Sequence, residues 1–187
     1  DFARHEKSPF NKDKQALNHN LYNRAWEFYE QGKYNDAIYE LYRLVKNLDP
    51  DKEGFLLFSE AQALMARLKA NTGDKEEALM FIAKAIEKEK LNPELYYLQT
   101  AIKQEKGKIQ EAIQSLQQVL YLDPDCIMAA FNLGLLLRRE NKMRTASRHF
   151  YNVLNLLEPM QENDLVPLSE GLTVKQLKEM LPLTNKY

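Results

Sequence analysis

The sequence predicts an all-α solenoid of about four helix–turn–helix repeats, and three observations lead to this prediction. A residue that favours a left-handed turn stands five positions before an alanine in four places: Gly32 and Ala37, Gly73 and Ala78, Gly107 and Ala112, Asn141 and Ala146. These alanines are 41, 34 and 34 residues apart, and a period near 34 is typical of stacked helical hairpins. No segment alternates apolar and polar residues as a half-buried strand does.

The first repeat is predicted to have helices at about 14–31 and 34–47, and the second at about 55–71 and 74–90. Gly32 and Gly73 supply the turn within each pair, because glycine adopts the left-handed conformation readily. Pro50 follows the first pair because proline cannot continue a helix. We expect the chain to be cut from a longer protein, so that residues 1–12 form a linker from a missing upstream domain.

The third and fourth repeats are predicted at about 93–106 with 109–122, and at about 127–140 with 143–157. A repeat domain would thus cover residues 13–158, followed by a loop and a C-terminal capping helix in 159–187. Thr173 is the expected N-cap of this last helix, at about 174–181. Its apolar residues share one face, which either caps the last repeat or competes with a partner as a mobile self-ligand.

The amino-acid composition argues against several classes of function. The 187 residues carry 26 Lys and Arg against 27 Asp and Glu, which argues against a nucleic-acid-binding protein. Only six glycines are present, which disfavours a phosphate-binding loop, and no apolar run approaches the roughly 20 residues of a membrane span. One cysteine, Cys126, excludes an intrachain disulfide, and we expect a cytoplasmic protein.

The pattern of small residues at two fixed positions resembles that of the tetratricopeptide repeat (TPR). In its 34-residue frame, position 8 is small, as are Ala25, Ala66, Thr100 and Gly134. Position 20 is alanine throughout, and position 24 is bulky: Leu41, Ile82, Leu116 and Phe150. Small side chains are needed where two antiparallel helices cross closely. Position 7, usually Leu, departs as Arg24, Met65 and Gln99. The resemblance implies a right-handed superhelix in which the first helix of each repeat lines a concave groove.

Longer stretches resemble a narrower family. The segments 90–107, 111–142, 147–157 and 167–181 look like the C-terminal repeat module of CheR-type chemoreceptor glutamate methyltransferases, mainly through LYLDPD at 120–125 and SEGLT at 169–173. This resemblance implies a regulatory or targeting module in chemotaxis signal transduction. The S-adenosylmethionine-binding catalytic domain would precede Asp1, so we expect no enzyme activity and no cofactor in these residues.

No spacing of reactive side chains predicts a catalytic or metal site. The histidines, His5, His19 and His149, are isolated, and Cys126 has no neighbouring base motif. The remaining candidate is a partner-binding groove. The family's groove positions predict this set of lining residues: Tyr22, Trp26, Tyr29, Tyr97, Gln104, Phe131, Leu135, Arg138 and Arg139. Aromatic side chains and arginine dominate the binding energy of many interfaces.

Two interpretations of this set stay open. In the first, the aromatic residues bind a protein or peptide segment. In the second, those of the first repeat do not line the groove, either because they pack against the linker or a missing domain or because the repeat frame assigned there is off by one residue. The expected partner is a chemoreceptor, another chemotaxis component or the chain's own catalytic domain, with no nucleic acid and no membrane insertion. A carboxylate clamp like that of TPR co-chaperones is not supported, because its Lys and Asn positions hold Tyr22 and Trp26. The alternatives are a generic scaffold or assembly protein and an autoregulatory domain.

Overall fold

Helices account for almost all of the regular structure in residues 9–48 and 54–182, the part of the chain that the computed structural model describes. They are α1 (Pro9–Glu30), α2 (Tyr34–Asn47), α3 (Phe55–Asn71), α4 (Lys75–Lys88), α5 (Pro93–Glu105), α6 (Ile109–Leu122), α7 (Ile127–Arg139), α8 (Met143–Leu157) and α9 (Val174–Met180). Within these ranges a single antiparallel bridge, between Leu165 and Thr173, is the only β-type pairing. The predicted all-α class is therefore confirmed, and α2 to α9 begin and end within two residues of their predicted bounds.

Helix α1 begins earlier than predicted. Residues 9–12, expected to belong to a linker, are helical, so the predicted linker is wrong for them. Proline is favoured in the first turn of a helix, where its missing N–H costs nothing, and no glycine or second proline interrupts the residues that follow Pro9. Residues 1–8 of the proposed linker lie outside the described residues, and the rest of the predicted domain division stays a prediction.

Each helical hairpin turns through a left-handed residue. Gly32, Gly73 and Gly107 have φ of 70°, 92° and 72°, and Asn141 has φ of 59°. The predicted role of Asn141 as a substitute for glycine is thus confirmed. In its turn the Lys142 N–H donates to the Leu137 carbonyl at 2.9 Å, a bond that closes the end of α7.

Paired helices cross at the small residues that the repeat pattern predicted. Ala37, Ala78, Ala112 and Ala146 are at most 1% exposed, and Ala25 and Ala66 are completely buried. The fourth repeat shows why size matters: a Cβ placed on Gly134 would lie 2.5 Å from Cε1 of Phe150. Phenylalanine at position 24 therefore requires glycine at position 8, where the other repeats combine Leu or Ile with Ala or Thr.

The chain divides into two compact units, Asp1–Lys90 and Leu91–Tyr187. In the first, α1 packs on α2, α3 packs on α4, and α2 contacts α3. In the second, α5 packs on α6, α7 packs on α8, and α6 contacts α7. Each unit therefore stacks two helical hairpins. We call the surface formed by α1 and α3, or by α5 and α7, the A-helix face of its unit.

The C-terminal segment closes the core of the second unit. Val174 and Leu177 of α9 are completely buried in the apolar cluster formed by α6, α7 and α8, as is most of Leu181. A capping box fixes the start of α9, in which Thr173 Oγ1 accepts from the Gln176 N–H and the Gln176 side chain accepts from the Thr173 N–H. Of the two expected roles for this helix, the structure shows the cap.

Candidate functional site

Three aromatic side chains form a continuous stripe on α1. Tyr22, Trp26 and Tyr29 are spaced by four and three residues, so they fall on one side of the helix. Trp26 meets the other two edge to face, with ring centroids 6.5 Å from Tyr22 and 5.3 Å from Tyr29. Edge-to-face pairing is a favourable aromatic geometry, and it holds the tryptophan in a defined orientation.

The stripe lies on the A-helix face of the first unit and is only half buried. Its surroundings include α3, because Asn71 Nδ2 reaches the Tyr29 hydroxyl at 3.5 Å. Burial raises the pKa of Tyr22, and the nearby Glu60 carboxylate adds to this effect. Leu21 and Ala25, which lie beside the stripe on α1 and face the core, are at most 1% exposed. Their burial agrees with the predicted register, in which the small residue at position 8 packs against the neighbouring helix.

Tyr97 and Gln104 meet at a cavity on the A-helix face of the second unit. The cavity has a volume of about 260 Å³. Its walls come from α5, from α7 and from the loop before α9: Tyr97, Ala101, Gln104, Met128, Asn132, Leu168, Ser169 and Glu170. Two of the predicted groove residues are thus brought together in one concave site.

A hydrogen bond fixes the polar wall of this cavity. Asn132 Nδ2 donates to the Tyr97 hydroxyl oxygen at 2.9 Å and so joins α7 to α5. Burial raises the pKa of Tyr97 to about 12, and the Glu170 carboxylate contributes to the rise. The tyrosine therefore stays protonated at neutral pH, with its O–H available to donate to a ligand.

The loop wall has an unusual backbone. Leu168 and Glu170 have φ of 61° and 57°, which is uncommon for residues with a Cβ, and Gly171 has φ of 101°. Ser169 holds the turn, because its hydroxyl accepts from the Leu172 N–H at 2.9 Å and lies 3.2 Å from the Leu172 carbonyl. Non-glycine residues persist in such conformations only where the surrounding structure fixes them.

Phe131 was predicted to face the groove, and this expectation is wrong. Its side chain is only 3% exposed and its ring centroid lies 6.3 Å from that of Phe150. It belongs to the core cluster of the second unit, to which the C-terminal segment also contributes Val166, Val174 and Leu177. Leu135, another predicted groove residue, is half buried and packs at the edge of this core.

Arg138 and Arg139 are exposed in the last turn of α7. Cations are favoured there by the partial negative charge at a helix C-terminus. Neither side chain lines the 260 Å³ cavity. Their predicted contact with an acidic partner stays a prediction.

Asn132 and Glu170 are site residues that the sequence analysis missed. Asn132 lies one position after Phe131, so the same helical register that buries Phe131 turns Asn132 towards Tyr97. The repeat pattern could have drawn attention to a polar residue between apolar neighbours. No local pattern shows that Glu170 reaches the A-helix face, because that depends on how the loop folds back.

The cysteine and histidine side chains do not form a catalytic or metal centre in the described ranges. Burial raises the pKa of the Cys126 thiol, which makes it a poor nucleophile. His149 lies beside a second cavity of about 340 Å³ between α6 and α8, and burial lowers its pKa. Within residues 9–48 and 54–182, no group of three or more His, Cys, Asp or Glu side chains could hold a metal ion. None of the helices there combines the length and apolar content that a membrane span requires.

Comparison with known families finds tetratricopeptide repeats in both units. One repeat model matches residues 20–52 and another matches residues 93–126. The match at 93–126 coincides with the 34-residue frame deduced for the third repeat, and the match at 20–52 overlaps the first repeat. No curated protein matches the sequence.

Solved structures share the fold. A crystal structure of MamA is 21% identical, with a TM-score of 0.67 over 76% of this chain and 79% of that protein. A tetratricopeptide repeat protein from Parabacteroides merdae ATCC 43184 is 16% identical, with a TM-score of 0.69 over 78% and 55% of the two chains. Pseudomonas aeruginosa pilF is 19% identical, with a TM-score of 0.65 over 81% and 65%. At these identities the likeness shows an all-α solenoid of TPR type, and it lends no support to the resemblance to CheR-type enzymes.

Proposed function

We propose that the protein is a protein–protein interaction module that binds an exposed peptide segment of a partner on its A-helix faces. The observation that carries this proposal is the half-buried stripe of Tyr22, Trp26 and Tyr29 on α1. Three adjoining rings at a helix surface offer a large apolar contact area at little cost in side-chain entropy. Such side chains are over-represented among residues that dominate binding energy.

The second unit offers a complementary kind of contact. The cavity beside Tyr97 and Gln104 combines apolar walls with side-chain donors and acceptors. Polar groups of this kind fix the orientation of a ligand, whereas the apolar area supplies affinity. A peptide segment, rather than a cofactor, suits a site built from aromatic and amide side chains without a cluster of charged groups.

Peptides selected from a random library against the full chain would test the proposal by titration calorimetry. We expect Trp26→Ala to weaken the peptides that bind the first unit, and Tyr97→Ala those that bind the second, at least tenfold. This is the loss of a typical interface anchor of about 1.4 kcal/mol or more. Tyr39→Ala and Tyr121→Ala are matched controls, because these tyrosines are 63% and 80% exposed on α2 and α6. Loss of binding in the controls alone would move the partner site to the opposite surface and refute the proposal.

The narrower hypothesis is that this module regulates or targets a chemotaxis methyltransferase, in the cytoplasm, by tethering the enzyme near its substrate glutamates. It rests on the sequence resemblance alone. A generic TPR scaffold and an autoregulatory domain fit the fold equally well. A methyl-donor-binding domain joined to these repeats would favour the methyltransferase and autoregulatory hypotheses over the scaffold. Comparing methyltransferase activity with and without the repeats would then separate those two.

A further inference from the structure

We propose that the cavity formed by α5, α7 and the 168–170 loop takes a basic side chain, arginine or lysine, from the bound peptide segment. This inference rests on the proposed function and names the chemistry that the second unit recognises. It makes Glu170, a residue outside the repeats, a specificity-determining residue.

The charge of the cavity favours a cation. Of its eight lining residues none is basic, and Glu170 is the one that carries a charge at neutral pH. Among the described residues this carboxylate forms no ion pair. A carboxylate is the preferred partner of a guanidinium or ammonium group. An acidic side chain would meet repulsion at the same place.

The neutral groups of the cavity also suit a cation. Asn132 uses its amide nitrogen on Tyr97, so its carbonyl oxygen remains available as an acceptor. Gln104 contributes a second amide from the next turn of α5 after Ala101. An apolar side chain would leave these acceptors without partners, which costs free energy in a desolvated site. Met128, 7% exposed, provides an apolar wall for the methylene stem of arginine or lysine.

The size and the rigidity of the cavity also favour the binding of a single side chain. A volume of about 260 Å³ is below the roughly 300 Å³ at which pockets for drug-sized ligands begin, so it matches one side chain. The loop that brings Glu170 to the cavity is fixed by the Ser169 hydroxyl, the Leu165–Thr173 bridge and the capping box of α9. The backbone of Glu170 is therefore fixed beside the cavity before any ligand arrives, which lowers the entropic cost of binding.

The test uses the full chain and three capped pentapeptides, Gly-Gly-X-Gly-Gly, in which X is Arg, Glu or Leu. Backbone amide shifts in two-dimensional NMR report binding at residues 101, 132 and 171. We expect the Arg peptide to move these signals and the other two to leave them unchanged. Glu170→Gln should weaken the Arg peptide by up to about fivefold, the usual worth of an exposed ion pair, and salt should weaken it further. Glu179→Gln, an exposed carboxylate on α9 away from the cavity, is the matched control and should have no effect.

Equal shifts with all three peptides, or unchanged Arg binding in Glu170→Gln, would overturn the inference. Thermal unfolding by circular dichroism checks that both variants are folded. The proposed function is judged separately, by the library-selected peptides and the Trp26 variant. If those peptides bind through Trp26 while the Arg pentapeptide leaves the cavity signals unmoved, only the inference about Glu170 is lost.

Discussion

Arg24 and Glu40 form an ion pair between α1 and α2, with Nη2 of the arginine 2.9 Å from Oε1 of the glutamate. Gln99 and Ser115 make the equivalent contact between α5 and α6, where Ser115 Oγ donates to Gln99 Oε1 at 2.8 Å. Both pairs join positions 7 and 23 of the repeat, which are 16 residues apart. In the first and third repeats, the polar residue at position 7 is therefore matched by a polar partner on the second helix.

Replacing one member of the first pair should destabilise the first unit. Glu40 is buried, with its side chain 4% exposed, whereas the Arg24 side chain is 47% exposed and Arg43 also binds the carboxylate. We expect Arg24→Leu to lower the free energy of unfolding by about 1 kcal/mol, because it removes one of two charged partners from a buried acid. Urea unfolding measures this loss. In a Glu40→Leu background the same change should be nearly neutral, and an equal cost in both backgrounds would contradict the coupling.

Gly134→Ala should destabilise the second unit through a steric conflict with Phe150. The added Cβ would lie 2.5 Å from Cε1 of that ring, so the ring or the helix must move. Overpacking of this kind costs about 1–3 kcal/mol, measurable as a shift of the urea midpoint. Phe150→Leu should relieve the conflict, so that Gly134→Ala costs less in that background. A larger cost there would show that the helix crossing is limited by other contacts.

Phe131→Ala should affect folding more than partner binding. A buried phenylalanine replaced by alanine typically loses about 3–5 kcal/mol, because a cavity remains in the core. Chemical unfolding followed by circular dichroism tests this expectation. Leu135→Ala, at the half-buried edge of the same helix, is the control and should cost less. Unchanged stability of Phe131→Ala would contradict the placement of this side chain in the core.

Tyr97→Phe should remove the last tyrosine to ionise. Burial and the Glu170 carboxylate raise the pKa of Tyr97 to about 12, well above the ordinary value of 10.0. Because the folded protein holds this proton more tightly than the unfolded chain does, the stabilisation is present below pH 10 and disappears as pH rises towards 12. Absorbance at about 295 nm follows phenolate formation, and the variant should lack the highest phase. If that phase persists, another tyrosine is responsible.

His149 should make the second unit less stable in mild acid. Burial and the neighbouring Arg148 lower its pKa below the ordinary 6.5, so the unfolded chain binds the proton more readily. The free energy of unfolding should therefore fall as pH decreases below about 6.5 and level off once the folded histidine is protonated. Urea unfolding at pH 7.5 and 5.5 compares the wild type with His149→Gln. The variant should show a smaller difference, and an identical difference in both proteins would exclude this histidine.

The repeat architecture could be predicted because it depends on a few positions that recur in phase. Small residues such as Ala37 and Ala112 mark the points where paired helices cross, and residues such as Gly107 and Asn141 mark the turns between them. These constraints act over short distances in the sequence. The start of α1 was missed because the polar stretch NKDKQ at 11–15 differs little in composition from a linker.

The candidate site was harder to predict because surface exposure depends on distant segments. Phe131 occupies a position that faces solvent in the repeat pattern, yet its ring lies near Phe150 in a core cluster that the C-terminal residues also join. Glu170 reaches the cavity only through a loop held by hydrogen bonds that no periodicity encodes. The three rings of the α1 stripe adjoin as their spacing predicts, because that spacing is a property of one helix, and their role in binding stays a prediction. A pattern thus predicts a helix face well and the tertiary cover of that face poorly.

The chain has one tryptophan, Trp26, and it sits in the first of two separately packed units. Its fluorescence is therefore an optical probe of one half of the molecule. Circular dichroism, by contrast, averages over helices from both halves. A melt recorded by the two methods would coincide only if the halves lose structure together. Diverging curves would reveal a species in which one hairpin pair has already come apart while the other persists.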